Sequence, residues 1–85
     1  YQGSSVLQHG DVATLSLHAT KLFHTGEGGA IITQDDEVAR RLFYMRNFGH
    51  EGPHSFAGLG INAKNSEIHA ALGLSVWPYV PELLA

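Results

Sequence analysis

Cysteine is absent, which removes disulfides, a thiolate nucleophile and any zinc site built on thiolates. Charge is scarce too: Asp, Glu, Lys and Arg make up 15% of the residues, with five basic against eight acidic and a formal net charge of −3. That leaves no basic footprint for nucleic acid, which is excluded as a partner. No apolar run approaches the roughly 20 residues that span a bilayer, so no membrane role is expected, and no charged-then-apolar leader is visible. The first residue is not methionine, and Pro81 to Ala85 reads as a helix cut short. An internal piece of a longer protein is the expectation. What remains is apolar enough for a globular core, at 44% hydrophobic over 85 residues. So few charges suit a segment packed within a larger protein better than a small domain that makes its own surface.

From Val12 to His18 apolar Ala13, Leu15 and Leu17 alternate with polar Thr14, Ser16 and His18. This period of two predicts a strand with one apolar and one polar face. Thr25-Gly26-Glu27-Gly28-Gly29 predicts a loop, and Ala30 to Thr33 a short second strand. The link is too short for a parallel crossover, so the pair should be antiparallel. Asp35-Asp36-Glu37 opens a helix, with Val38, Leu42 and Met45 on one face and Gly49 closing it. Phe48 to Gly60 has no periodicity and reads as a long loop. A second helix starts near Asn65 or Ser66, with Glu67 in its first turn and Ile68, Ala71, Leu72 and Ser75 on one face. Pro78 ends it, and Pro81 suits the first turn of a further helix. Two strands and these helices cannot close a core alone. The rest of the sheet must come from other sequence.

The chemistry gathers where the first strand ends, at Ser16-Leu17-His18-Ala19-Thr20-Lys21. Ligands of open α/β sheets collect beyond the carboxyl ends of strands. An amine at such a place, partly withdrawn from water, becomes a nucleophile able to form a Schiff base. Ser16 shares the polar face, where its hydroxyl could reach a phosphate, and the glycine-rich loop lets backbone approach a ligand. Spacing alone still leaves a surface charge as the commoner reading of a strand-end lysine.

Ser16 to Gly29, S-L-H-A-T-K-L-F-H-T-G-E-G-G, resembles the lysine motif of the DegT/DnrJ/StrS sugar aminotransferases. Gly60-Ile61-Asn62-Ala63-Lys64-Asn65-Ser66-Glu67 and Ala70-Ala71-Leu72-Gly73 resemble two further stretches of that family, and Arg46-Asn47-Phe48-Gly49-His50 fits the turn between. The matches run in family order over nearly the whole chain. The fold implied is α/β: part of the large domain of an aspartate-aminotransferase-like, fold type I transferase dependent on pyridoxal 5'-phosphate. Residues 1–85 would all belong to that one domain, without its N-terminal sheet strands or the C-terminal small domain. The resemblance implies that Lys21 is the catalytic residue and holds the cofactor as a Schiff base. It makes Ser16 a ligand of the cofactor phosphate, and Asn62 a ligand of the phosphate in the neighbouring subunit of a homodimer with composite sites. It implies transfer of an amino group, with glutamate as donor, to a nucleotide-linked keto-sugar in the cytoplasm. Lys64 stands where the family pattern has arginine. It lacks the bidentate fork of a guanidinium and is not counted among the site residues. A dehydratase of the same superfamily has histidine in place of the lysine, which Lys21 argues against. A non-catalytic, regulatory member stays open.

His18 shares a face with Ser16 and is a candidate cofactor ligand or, equally, a structural histidine. Glu27, set among glycines, is expected to accept hydrogen bonds from backbone N–H groups. His50-Glu51-Gly52-Pro53-His54 spells H-E-x-x-H, but zinc needs both histidines one helical turn apart. Gly52 and Pro53 oppose that helix, so no metal is expected. Trp77 and Tyr79, beside Pro78, read as packing residues.

Overall fold

The computed structural model describes residues 1–85. Its elements are β1 (Val12–Ser16), β2 (Gly29–Thr33), α1 (Asp36–Met45), β3 (His50–Gly52), β4 (Ser55–Phe56), α2 (Glu67–Val76) and α3 (Val80–Leu83), with 3-10 turns at Val6–Gln8 and Trp77–Tyr79. They form two compact units, each of two segments: Tyr1–Ala13 with Ile32–Lys64, and Thr14–Ile31 with Asn65–Ala85. No helix is long and apolar enough to cross a membrane.

β1 and β2 pair as a two-stranded sheet. Beyond the strand ends, Leu17 N–H donates to Gly28 O and Ala19 N–H to Gly26 O. Rising numbers on one side meet falling numbers on the other, the antiparallel sense expected from the short link. The regular strand stops at Ser16 rather than at His18.

In the first unit, Asp35 caps α1: its carboxylate accepts from Glu37 N–H at 2.8 Å and Val38 N–H at 3.0 Å. Asp36 and Glu37 meet the positive end of the helix dipole. The helix ends at Met45, four residues before the expected glycine. Phe48 (φ 58°) and Gly49 (φ 76°) both enter the left-handed region, and the N–H groups of Asn47 and Gly49 return to Tyr44 O. The segment expected to be a structureless loop contains an antiparallel hairpin, β3 against β4, with His50 opposite Phe56. Strands of 3 and 2 residues are too short to leave a period in the sequence. His50 stacks on Phe56 with ring centroids 4.6 Å apart. His50 to Gly52 is extended and Pro53–His54 forms the turn, so the helical spacing that zinc needs is not made there.

In the second unit, Ser66 caps α2 by accepting from His69 N–H at 3.2 Å. The helix ends at Val76 and passes into the turn that holds Pro78, and Pro81 lies in the first turn of α3. Within these 85 residues the helix meets the glycine-rich loop through Gly73. Ile68 is 81% exposed, whereas Gly73 is buried and His69, Ala70 and Val76 are half-buried. A Cβ on Gly73 would lie 2.6 Å from the Thr25 methyl, so a bare backbone face lets the loop approach. Trp77 packs edge-to-face on Phe23 at 5.3 Å, the packing role expected of it.

Candidate functional site

The chain leaves β1 through a turn built around His18. Lys21 N–H donates to His18 O at 2.9 Å. Thr20 N–H donates to His18 Nδ1 at 3.2 Å, with Thr20 Oγ1 at 3.0 Å from the same nitrogen. A backbone N–H only donates, so Nδ1 accepts and the neutral ring carries its proton on Nε2. That nitrogen faces Glu27 Oε1 at 3.6 Å. Glu27 thus points its carboxylate at the imidazole rather than at backbone N–H groups, which corrects the sequence expectation. The two side chains are 48% and 71% exposed, so the pair orients more than it stabilises. Both nitrogens of His18 have neighbours within the chain.

Ser16 Oγ accepts from His18 N–H at 3.4 Å, a hydroxyl turn of the kind that shapes loops. Its own O–H proton stays available to donate. Lys21 is exposed; the withdrawal from water expected of a nucleophilic amine is not provided by these 85 residues. A donating hydroxyl and an ammonium at one strand end suit a phosphate-bearing aldehyde: an amine for covalent attachment and an O–H for the anion.

Thr25 is a residue that sequence reasoning missed. It is 5% exposed. Its N–H donates to Leu17 O at 3.0 Å and its hydroxyl to Glu27 O at 2.8 Å, while its methyl meets Gly73. Thr25 therefore ties the glycine-rich loop to β1 and to α2. The signal was a hydroxyl residue opening a G-E-G-G run, legible as a loop brace only once Gly73 is opposite it.

Asn62 lies in the other unit. Its backbone forms an antiparallel bridge with Asn47. On either side, Ile61 N–H donates to Met45 O at 2.8 Å and Ala63 N–H to Arg46 O at 2.9 Å. The end of α1 gains partners for carbonyls a helix leaves unpaired, and Asn62 gains a fixed backbone. Gly60 makes this possible, because a Cβ there would strike the backbone of Phe48 and Gly49. Lys64, set aside at the sequence level, donates from Nζ to Asn62 Oδ1. Ser16, His18 and Lys21 thus share one unit, and Asn62 belongs to the other.

The profile of the DegT/DnrJ/EryC1/StrS aminotransferase family matches residues 1–85. The dTDP-4-amino-4,6-dideoxy-D-glucose transaminase of Shigella dysenteriae is 46% identical over 70 residues, which cover 82% of this chain and 19% of that protein. Among solved structures, Helicobacter pylori PseC, an aminotransferase involved in the biosynthesis of pseudoaminic acid, superposes with a TM-score of 0.83 at 31% identity, over 96% of this chain and 23% of that one. DesI, solved in the presence of its TDP-sugar product, gives a TM-score of 0.82 at 40% identity, over 94% of this chain and 20% of its own. The chain spans about a fifth to a quarter of the length of these relatives. Motif order, the strand-end lysine turn and these likenesses agree, and the chain belongs to the DegT/DnrJ/EryC1/StrS aminotransferase family.

Proposed function

We propose that the protein containing this chain is an aminotransferase dependent on pyridoxal 5'-phosphate, which moves an amino group from glutamate to a nucleotide-linked keto-sugar. The observation that carries this reading is the His18-centred turn, in which Lys21 N–H bonds to His18 O, His18 N–H bonds to Ser16 Oγ, and Lys21 is exposed. The relatives named for dTDP- and TDP-linked sugars support the substrate class. Lys21 Nζ would hold the cofactor covalently, and the Ser16 O–H would donate to its phosphate. His18 keeps the turn in shape and borders the same site. Asn62 would donate its amide N–H to the phosphate across the interface of a homodimer, since an amide suits an anion. When bound, the cofactor supplies the electron sink that makes a proton on the donor's Cα acidic. Lys21 Nζ would be the base that takes that proton. A cytoplasmic location, and membership of residues 1–85 in one large transferase domain, belong to the same proposal. Lys21 in place of histidine favours amino transfer over a dehydratase.

Reducing the full-length holoenzyme with borohydride and mapping its peptides tests the assignment. The pyridoxyl adduct is expected on Lys21. Lys64 is the other lysine of the chain, and an adduct there would overturn the reading. A full-length protein that takes up cofactor but shows no absorbance change with glutamate would favour the regulatory alternative.

A further inference from the structure

We propose that Lys64 is a positioning residue for Asn62, locking the amide so that its N–H edge is the one presented to an anion. Lys64 follows Asn62 by two residues, and its Nζ reaches the Asn62 side chain. An ammonium only donates, so the Asn62 atom that Lys64 Nζ meets is the amide oxygen. With Oδ1 occupied, Nδ2 and its two hydrogens form the free edge. An unrestrained asparagine presents either edge, and the oxygen edge repels a phosphate.

One exposed hydrogen bond does not offset the entropy of ordering a lysine side chain. A second contact contributes here: Nζ lies 4.2 Å from the centroid of the Phe48 ring, a cation–π geometry. Phe48 is in turn held in place. Its backbone is left-handed at φ 58°, and its N–H donates to Ile61 O at 3.0 Å. The bonds of Ile61 and Ala63 to Met45 and Arg46 fix the chain on both sides of Asn62. Side-chain rotation is the freedom left to that residue, and Lys64 removes it. A point charge suffices for this task, so lysine serves where a bidentate fork would be needed to grip a carboxylate directly.

The inference rests on Asn62 being a phosphate ligand, and a double-mutant cycle on the full-length protein separates the two claims. The readout is the dissociation constant of pyridoxal 5'-phosphate titrated into apoprotein, with thermal midpoints as a control on folding. Asn62→Ala should weaken binding about tenfold, the loss of a hydrogen bond to a charged group. Lys64→Met should weaken it about threefold, and the double variant no more than Asn62→Ala alone. Lys64→Arg should bind within about twofold of the unaltered protein, because it keeps charge, reach and stacking. A double variant weakened by the product of the single effects would overturn the proposal, with Lys64 acting on the anion by its own charge. So would a Lys64→Met protein that binds normally while Asn62→Ala does not. No effect from Asn62→Ala would overturn the phosphate-ligand reading itself, and the positioning role with it. If Lys64→Met fails to fold, Lys64→Gln puts a shorter neutral side chain through the same comparison.

Discussion

Thr25 spends each of its groups on a different neighbour: its N–H on Leu17 O, its hydroxyl on Glu27 O and its methyl on Gly73. Thr25→Val keeps the shape and the methyl but removes the hydroxyl, leaving Glu27 O without that donor. The net loss for a neutral hydrogen bond of this kind is about 1 kcal/mol. Urea unfolding of the full-length protein should show a loss near that size, with the slope against denaturant unchanged. An unaltered midpoint would mean that the loop is braced elsewhere. His18 shows how far residue-level reading goes. Alternation assigns it to the strand's polar face, yet β1 stops at Ser16 and His18 sits in a turn, engaged by Thr20 and Glu27, because a period of two does not follow a chain into a turn. Lys64 is the same case. Its departure from the family's arginine removes the bidentate fork, and the contact of its ammonium with Asn62 Oδ1 is not written in the spacing.

At the scale of elements, the caps and breaks were legible because each is written locally. Asp35 and Ser66 accept from N–H groups two or three residues ahead, and Pro78 stands two residues past the end of α2. What local sequence does not contain is where a helix meets a loop distant in the chain. In α2 the bare backbone of Gly73 faces the loop that Thr25 opens. This sets two effects against each other in Gly73→Ala. Helix propensity favours alanine by about 1 kcal/mol, while crowding a packed contact costs about 1–3 kcal/mol. With a Cβ only 2.6 Å from Thr25 Cγ2, crowding should win, and Gly73→Ala should be less stable than the unaltered protein. Thr25→Ser removes the methyl and keeps the hydroxyl, so adding it to Gly73→Ala should recover part of the loss. If the two changes simply add, Thr25 and Gly73 are not in the contact argued for.

At the scale of the whole molecule, the 85 residues bury no hydrophobic side chain, and Leu59 is 93% exposed, Ile68 81% and Leu74 75%. Without a core, the isolated chain should show no sharp cooperative melt as a dilute monomer by circular dichroism; such a melt would refute the view that these faces are covered by other sequence. The same incompleteness bears on the site. Lys21 and Asn62 belong to different compact units of the chain, and the proposed dimer assigns them to the cofactor sites of different subunits. Subunit mixing tests that assignment. Lys21→Ala lacks the covalent anchor and should be inactive. Asn62→Ala keeps the anchor but loses a donor to the phosphate, and should hold cofactor about tenfold more weakly. In a heterodimer of the two, one site draws Lys21 from the Asn62→Ala subunit and Asn62 from the Lys21→Ala subunit, so both groups are intact there; the other site lacks both. Mixed subunits should therefore recover up to about half the activity of the unaltered dimer per heterodimer, measured at cofactor levels where Asn62→Ala alone is largely empty. Heterodimers that form, as shown by differently tagged subunits eluting together, and yet recover no activity would place Asn62 in the site of its own subunit or outside the site altogether.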